Sequence, residues 1–164
     1  MSRIQLPALG LLRSFASAFT DAEGGTFALV PQVVDAVSVP VVAAGGIADG
    51  RGIAAALALG ADAVQIGTAV MRCPEATSSD LQRRALQRAS DDSTRITRAL
   101  TGRPARALDN RYVREMRDHP DADLPDYPLI RSFLGPPGAA AGKSGSDDFA
   151  TMWAGQAAAL GRDI

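Results

Sequence analysis

Val39-Pro40-Val41-Val42-Ala43-Ala44-Gly45-Gly46 and, one unit later, Ala63-Val64-Gln65-Ile66-Gly67-Thr68 are the segments whose reading decides the fold. Each begins as a short apolar run rich in β-branched residues and stops at glycine, the pattern of a buried strand closed by a turn. Between them, Asp49-Gly50 opens an Ala-rich stretch, about Gly50 to Leu59, that halts at Gly60. An Asp side chain can cap the first amides of a helix, and a Gly can take the left-handed backbone that ends one. Strand, Gly-rich turn, helix and strand therefore alternate, which predicts a parallel sheet with right-handed crossovers. Strands that are apolar almost throughout predict a sheet covered on both faces.

Working upstream, Val30, Val33, Val34 and Val37 repeat with the spacing of one helix face, predicting a helix over Leu29 to Val37 with Pro31 in its first turn. Glu23-Gly24-Gly25-Thr26 is a turn. Within residues 1–23, Leu11, Leu12, Phe15 and Phe19 predict a short amphipathic helix in an otherwise irregular segment. Downstream, Ser79 to Ala89 reads as a helix and Thr94 to Leu100 as a short strand, so residues 24–100 hold the βα units. Residues 101–146 are rich in Arg, Pro and Gly and read as an irregular excursion. Its end, Gly135-Pro136-Pro137-Gly138 and Ala139 to Ser146, reads as a mobile connector. Residues 147–164 read as a C-terminal helix carrying Trp153.

Composition narrows the function classes. Apolar residues make up 46% and charged residues 21%, which excludes a disordered chain. A net charge of -1 removes the bulk electrostatic basis for nucleic-acid binding. One His and one Cys cannot build a zinc cage, so no metal is expected. Cys73 has no internal disulfide partner, so nothing points to an oxidising compartment. No apolar run reaches the ~18–20 residues of a membrane span. Residues 1–20, broken by Pro7 and Gly10 and carrying Arg13, read as a cytosolic N-terminus without a cleavage site. A cytoplasmic protein without membrane contact is expected.

The chemistry rests on the paired turns. In a parallel array the carboxyl ends of successive strands lie side by side, so Gly45-Gly46 and Gly67-Thr68 bring backbone N–H groups together beside helix N-termini. Glycine lets an anion approach the backbone, the helix dipole favours negative charge, and Thr68 adds a hydroxyl donor. Phosphate binding is one reading of these turns; glycines that simply turn the chain are the other. The spacing is not GxGxxG, so no dinucleotide fingerprint is present. His119 lies in the Asp/Pro-rich stretch Arg117-Asp118-His119-Pro120-Asp121 and reads as a solvated loop residue rather than a base. Cys73, with no His near in sequence, reads as a structural thiol. Arg95, Arg98, Arg103, Arg106, Arg111, Arg114 and Arg117 read as a solvated or subunit-facing surface, since Tyr112 is the only aromatic among them.

These residues resemble a family. Val41 to Gly50 (VVAAGGIADG) followed by Gly60 to Thr68 (GADAVQIGT) is similar to the nitronate monooxygenases, also called the 2-nitropropane dioxygenase family. Ser93 to Asn110 (STRITRALTGRPARALDN), Tyr127-Pro128-Leu129 and Trp153-Ala154-Gly155-Gln156 extend the resemblance over about residues 24–164. It implies an α/β fold, a partial (β/α)8 TIM-type barrel made of C-terminal βα units, with an irregular excursion and a C-terminal helix. It implies FMN as cofactor, with its phosphate held by Gly45, Gly46, Gln65, Ile66, Gly67 and Thr68. Asp49 would cap its helix, and Trp153 and Gln156 would pack the terminal segment near the cofactor end. Family members run to roughly twice this length around a barrel of ~250 residues. In the family an Ala-Gly-Gly-His-type segment carries the presumed base, and Ala18-Phe19-Thr20-Asp21 resembles the stretch after it. No such His is present here, so no catalytic residue is assigned. The expected function is FMN-dependent oxidation of a small alkyl nitronate by a truncated chain. The alternatives are a non-catalytic FMN- or phosphate-binding remnant, or a barrel half completed by a partner chain, a homodimer included.

Overall fold

A computed structural model describes residues 24–162. The amphipathic helix expected within residues 1–23 lies outside them. The chain divides into two compact units at Ile66 and Gly67, inside the stretch read as continuous βα units.

The first unit runs α1 (Thr26–Ala36), β1 (Val42–Ala44), α2 (Gly50–Ala58) and β2 (Ala63–Gln65). β1 and β2 pair in parallel, with Val42 opposite Ala63 and Ala44 opposite Gln65. Asp62 sets this register at the amino ends. Its carboxylate accepts the Val41 amide at 2.7 Å, and its own amide donates to the Val41 carbonyl at 2.9 Å. α2 is bounded as its sequence dictates. The Asp49 carboxylate accepts the Arg51 and Gly52 amides, and Gly60 (φ +95°) turns the chain out while the Ala61 amide closes back on the Ala56 carbonyl at 3.1 Å. The core is small: Val30, Ala43, Ala56 and Ala61, flanked by Val34, Ile47, Leu59 and Val64. Ala43 is buried but Val42 is 53% exposed, so among the described residues the sheet is not covered on both faces as expected. Among the described residues, β1 and β2 pair only with each other, which leaves one edge of each strand unpaired.

The second unit holds α3 (Asp80–Gln87), the antiparallel pair β3 (Thr94–Thr97) and β4 (Ala105–Leu108), α4 (Arg111–Glu115) and α5 (Ile130–Lys143), joined by short 3-10 turns. One core cluster joins α3 to the terminal segment through Ala85, Leu86, Leu108, Met152, Ala154 and Ala158. A second gathers Leu100, Ala107, Val113, Ile130 and Leu134. No helix of the described residues is long and apolar enough to cross a membrane.

Two expectations are corrected here. The Gly-Pro-Pro-Gly stretch and residues 139–143 are not a connector but the body of α5. Pro136 and Pro137 remove the amides that would bond the Ser132 and Phe133 carbonyls. Both of those residues are exposed, so water can satisfy the carbonyls while buried Ile130 and Leu134 anchor the helix. Residues 147–162 are not a helix. Met152 to Ala154 run extended against β4, with the Leu108 amide on the Met152 carbonyl (2.9 Å), the Ala154 amide on the Arg106 carbonyl (3.3 Å) and a bridge from Trp153 to Ala107. Met152 and Ala154 point inward on either side of Trp153, a period of two that pairing rewards and a helix would not.

Candidate functional site

The register of the parallel pair brings the carboxyl ends of β1 and β2 level, so Gly45 and Ile66 each leave the sheet from adjacent positions. Gly45 (φ +96°) and Gly46 (φ +70°) are consecutive left-handed residues, a corner that L side chains rarely adopt. The corner is tied down from α1, where the Thr26 hydroxyl donates to the Ala44 carbonyl at 3.1 Å. A Cβ on Gly45 would stand 3.1 Å from that hydroxyl oxygen, whereas a Cβ on Gly46 would meet nothing within 4 Å. The Gly46 and Ile47 amides donate to no protein group among the described residues. Gln65 is exposed and Ile66 half-buried at the neighbouring strand end. This corner offers amides that have no protein acceptor among the described residues and open space where a Gly46 side chain would stand, which is what an anion of phosphate size needs.

The helix-dipole part of the expectation is corrected. The N-terminus of α2 is filled by Asp49, whose carboxylate takes the Arg51 and Gly52 amides and also the Arg51 guanidinium at 2.6 and 2.9 Å. Those bonds, the guanidinium first, hold its carboxyl below the usual value and raise the Arg51 guanidinium in turn. A second anion has no place on those amides. Gly67-Thr68 is followed by the single 3-10 turn Val70–Arg72, and the next α-helix begins only at Asp80. The donors left for an anion are loop amides, not helix ends.

In the second unit the Gly67 and Thr68 amides likewise donate to no protein group among the described residues. The Thr68 hydroxyl oxygen accepts the Gly155 amide at 2.8 Å. Nothing in the sequence singles out Gly155, although the Trp153 to Gln156 segment stands out as a whole. Gln156 is exposed, and Trp153 is held through its backbone by β4 and by the Gln82 side chain, whose Nε2 donates to the Trp153 carbonyl at 3.2 Å. Sequence reasoning also misses Thr26 and Asn110. Buried Asn110 accepts the Val113 amide and donates to the Asp147 and Ala150 carbonyls, both at 2.8 Å, capping α4 and clasping the terminal segment at once.

The remaining residues take structural places. His119 is exposed at the end of a 3-10 turn, its amide on the Met116 carbonyl. Cys73 is a half-buried free thiol. The arginine stretch is paired internally: Arg95 and Arg117 with Asp109, Arg98 with Asp121, Arg111 with Glu115, and Arg106 with the Thr94 carbonyl and hydroxyl.

A family model described as nitronate monooxygenase matches residues 14–164. The chain belongs to the nitronate monooxygenase family. A Staphylococcus aureus (strain Newman) relative named "Probable nitronate monooxygenase" is 43% identical over 136 residues, 83% of this chain and 38% of the relative. Among solved structures, nitroalkane oxidase from Streptomyces ansochromogenes superposes with a TM-score of 0.76 at 44% identity, over 85% of this chain and 39% of that one. FabK from Thermotoga maritima superposes with a TM-score of 0.70 at 36% identity, over 87% and 45%. The chain thus spans about two fifths of the length of the curated relatives it matches.

Proposed function

We propose that this chain is the phosphate-gripping part of an FMN-dependent, cytoplasmic nitronate monooxygenase of (β/α)8 design, acting on small alkyl nitronates. The observation that carries the reading is the Gly45-Gly46 corner, with its unengaged Gly46 and Ile47 amides level with the end of β2. Gly45, Gly46, Gln65, Ile66, Gly67 and Thr68 would hold the FMN phosphate. The backbone amides and the Thr68 hydroxyl donate, and the missing Cβ of Gly46 lets the oxygens come close. Asp49 is kept from repelling the dianion by its own ion pair with Arg51. FMN, when bound, supplies the redox chemistry of nitronate oxidation. This chain's part is to anchor and orient the cofactor's tail; none of the described side chains is assigned the role of base, exposed His119 included.

A second reading, a barrel half completed by another chain, is favoured by exposed Val42 and by the two free edges of the β1–β2 pair. Parallel strands seldom stand without neighbours on both sides. Titration of the purified chain with FMN and with riboflavin, followed by flavin fluorescence, tests the first reading. FMN binding much more tightly than riboflavin is expected, and equal or absent binding refutes the phosphate grip. Nitronate-dependent oxygen uptake separates an active enzyme from a binding remnant. A monodisperse monomer by native mass measurement counts against the half-barrel assembly.

A further inference from the structure

We infer that Gly155 is a positioning residue for the anion seat: its amide holds the Thr68 hydroxyl so that the hydroxyl can act only as a donor toward bound phosphate. The inference rests on the phosphate-seat reading above. The geometry is specific. The Gly155 amide donates to Thr68 Oγ1 at 2.8 Å across 87 residues of chain. A hydroxyl oxygen that accepts from an amide keeps its own hydrogen for a different acceptor, and none of the described residues takes it. Half-buried Thr68 therefore carries a hydroxyl committed to donating, beside the unengaged Gly67 and Thr68 amides. The Gly155 backbone is itself fixed. On its amino side, Met152 and Ala154 are pinned to β4, and the Trp153 carbonyl accepts from the Gln82 side chain. On its carboxyl side, the Arg72 guanidinium donates to the Gly161 carbonyl. A Cβ at this point would stand 3.3 Å from Thr68 Oγ1, tighter than ordinary contact, so the hydroxyl would have to give by a few tenths of an ångström.

The test is a double-mutant cycle on the ratio of FMN to riboflavin affinity, since riboflavin lacks only the phosphate. Thr68→Val removes the hydroxyl and should lower the ratio about ten- to a hundredfold, the worth of one charge-assisted hydrogen bond, with riboflavin affinity unchanged. Thr68→Ser should restore it. Gly155→Ala should lower the ratio about three- to tenfold in the natural background and leave it unaltered in the Thr68→Val background, because the two residues act as one unit. Equal weakening of FMN and riboflavin by Gly155→Ala, additive losses in the double variant, or no effect of Gly155→Ala would each overturn the inference while leaving the phosphate seat standing. A natural chain that does not prefer FMN over riboflavin overturns the seat itself, and this inference with it.

Discussion

Replacing Gly46 with Asp separates the anion seat from the fold. Its backbone, at φ +70°, lies in the left-handed region, and the ideal Cβ meets nothing within 4 Å. The variant therefore costs only the strain of a non-glycine residue there, about 1 kcal/mol, and Asp tolerates that region better than most. In the seat the effect is larger. The new carboxylate occupies the space a phosphate would fill and competes for the Gly46 and Ile47 amides. Each charge-assisted bond is worth about 1.5–3 kcal/mol, so losing both removes about 3–6 kcal/mol, a factor of roughly a hundred to ten thousand in FMN affinity. Gly60→Ala is the opposing control. At φ +95° its Cβ would sit 2.9 Å from Val34 Cγ1, so strain and overpacking should destabilise the first unit by about 2–4 kcal/mol. It should leave FMN affinity intact in the folded protein. The assay is flavin fluorescence against FMN, alongside urea unfolding followed by circular dichroism. A Gly46→Asp protein with native dichroism that binds FMN as the natural chain does would refute the reasoning.

Three further outcomes are expected. Asn110→Ala strands the buried Val113 amide and two part-buried carbonyls and should cost about 2–4 kcal/mol in urea unfolding; Asn110→Asp should also destabilise, since a carboxylate cannot donate to the Asp147 and Ala150 carbonyls. The Asp49 carboxyl is held below its ordinary value of 3.8, so its support for α2 is complete above that pH and fades as pH falls through the lowered folded value. Unfolding measured from pH 6 down to 2 should show the natural chain losing its advantage over Asp49→Asn in that window. His119→Ala should change FMN affinity and any nitronate turnover by less than about twofold, as surface substitutions do; a large loss of turnover would make His119 a participant.

What can be read from the sequence is what is written locally. The strand end at Gly45, the Asp49 cap and the Gly60 stop each depend on a few adjacent residues and lie where the sequence puts them, while β2 stops at Gln65, a residue short of the expected Ile66. α5 escapes such a reading because Gly135-Pro136-Pro137-Gly138 dominates any short window, whereas Ile130 and Leu134, packed against Leu100, Ala107 and Val113, decide the outcome. The terminal segment escapes it for the opposite reason. Its alanines favour a helix, but the backbone partners of Met152 and Ala154 lie on β4, more than forty residues away. The site divides the same way. The corner glycines announce themselves. The Gly155 amide on Thr68 and the Thr26 hydroxyl on the Ala44 carbonyl are long-range pairings that no local pattern encodes. The dipole of α2 counts for less than its sequence promises, because the same Asp that marks its start also consumes the donors an anion would use.

Asn110 gives the tail of the protein an unusual standing. One carboxamide both begins α4 and latches the backbone around residues 147–150, so the two cannot be altered separately. Shortening the chain to residue 146 would therefore do more than shed an extended run: it would unseat a helix start nearly forty positions earlier and bare the flank of β4. Insertions between residues 147 and 154 should unravel the second unit as a whole.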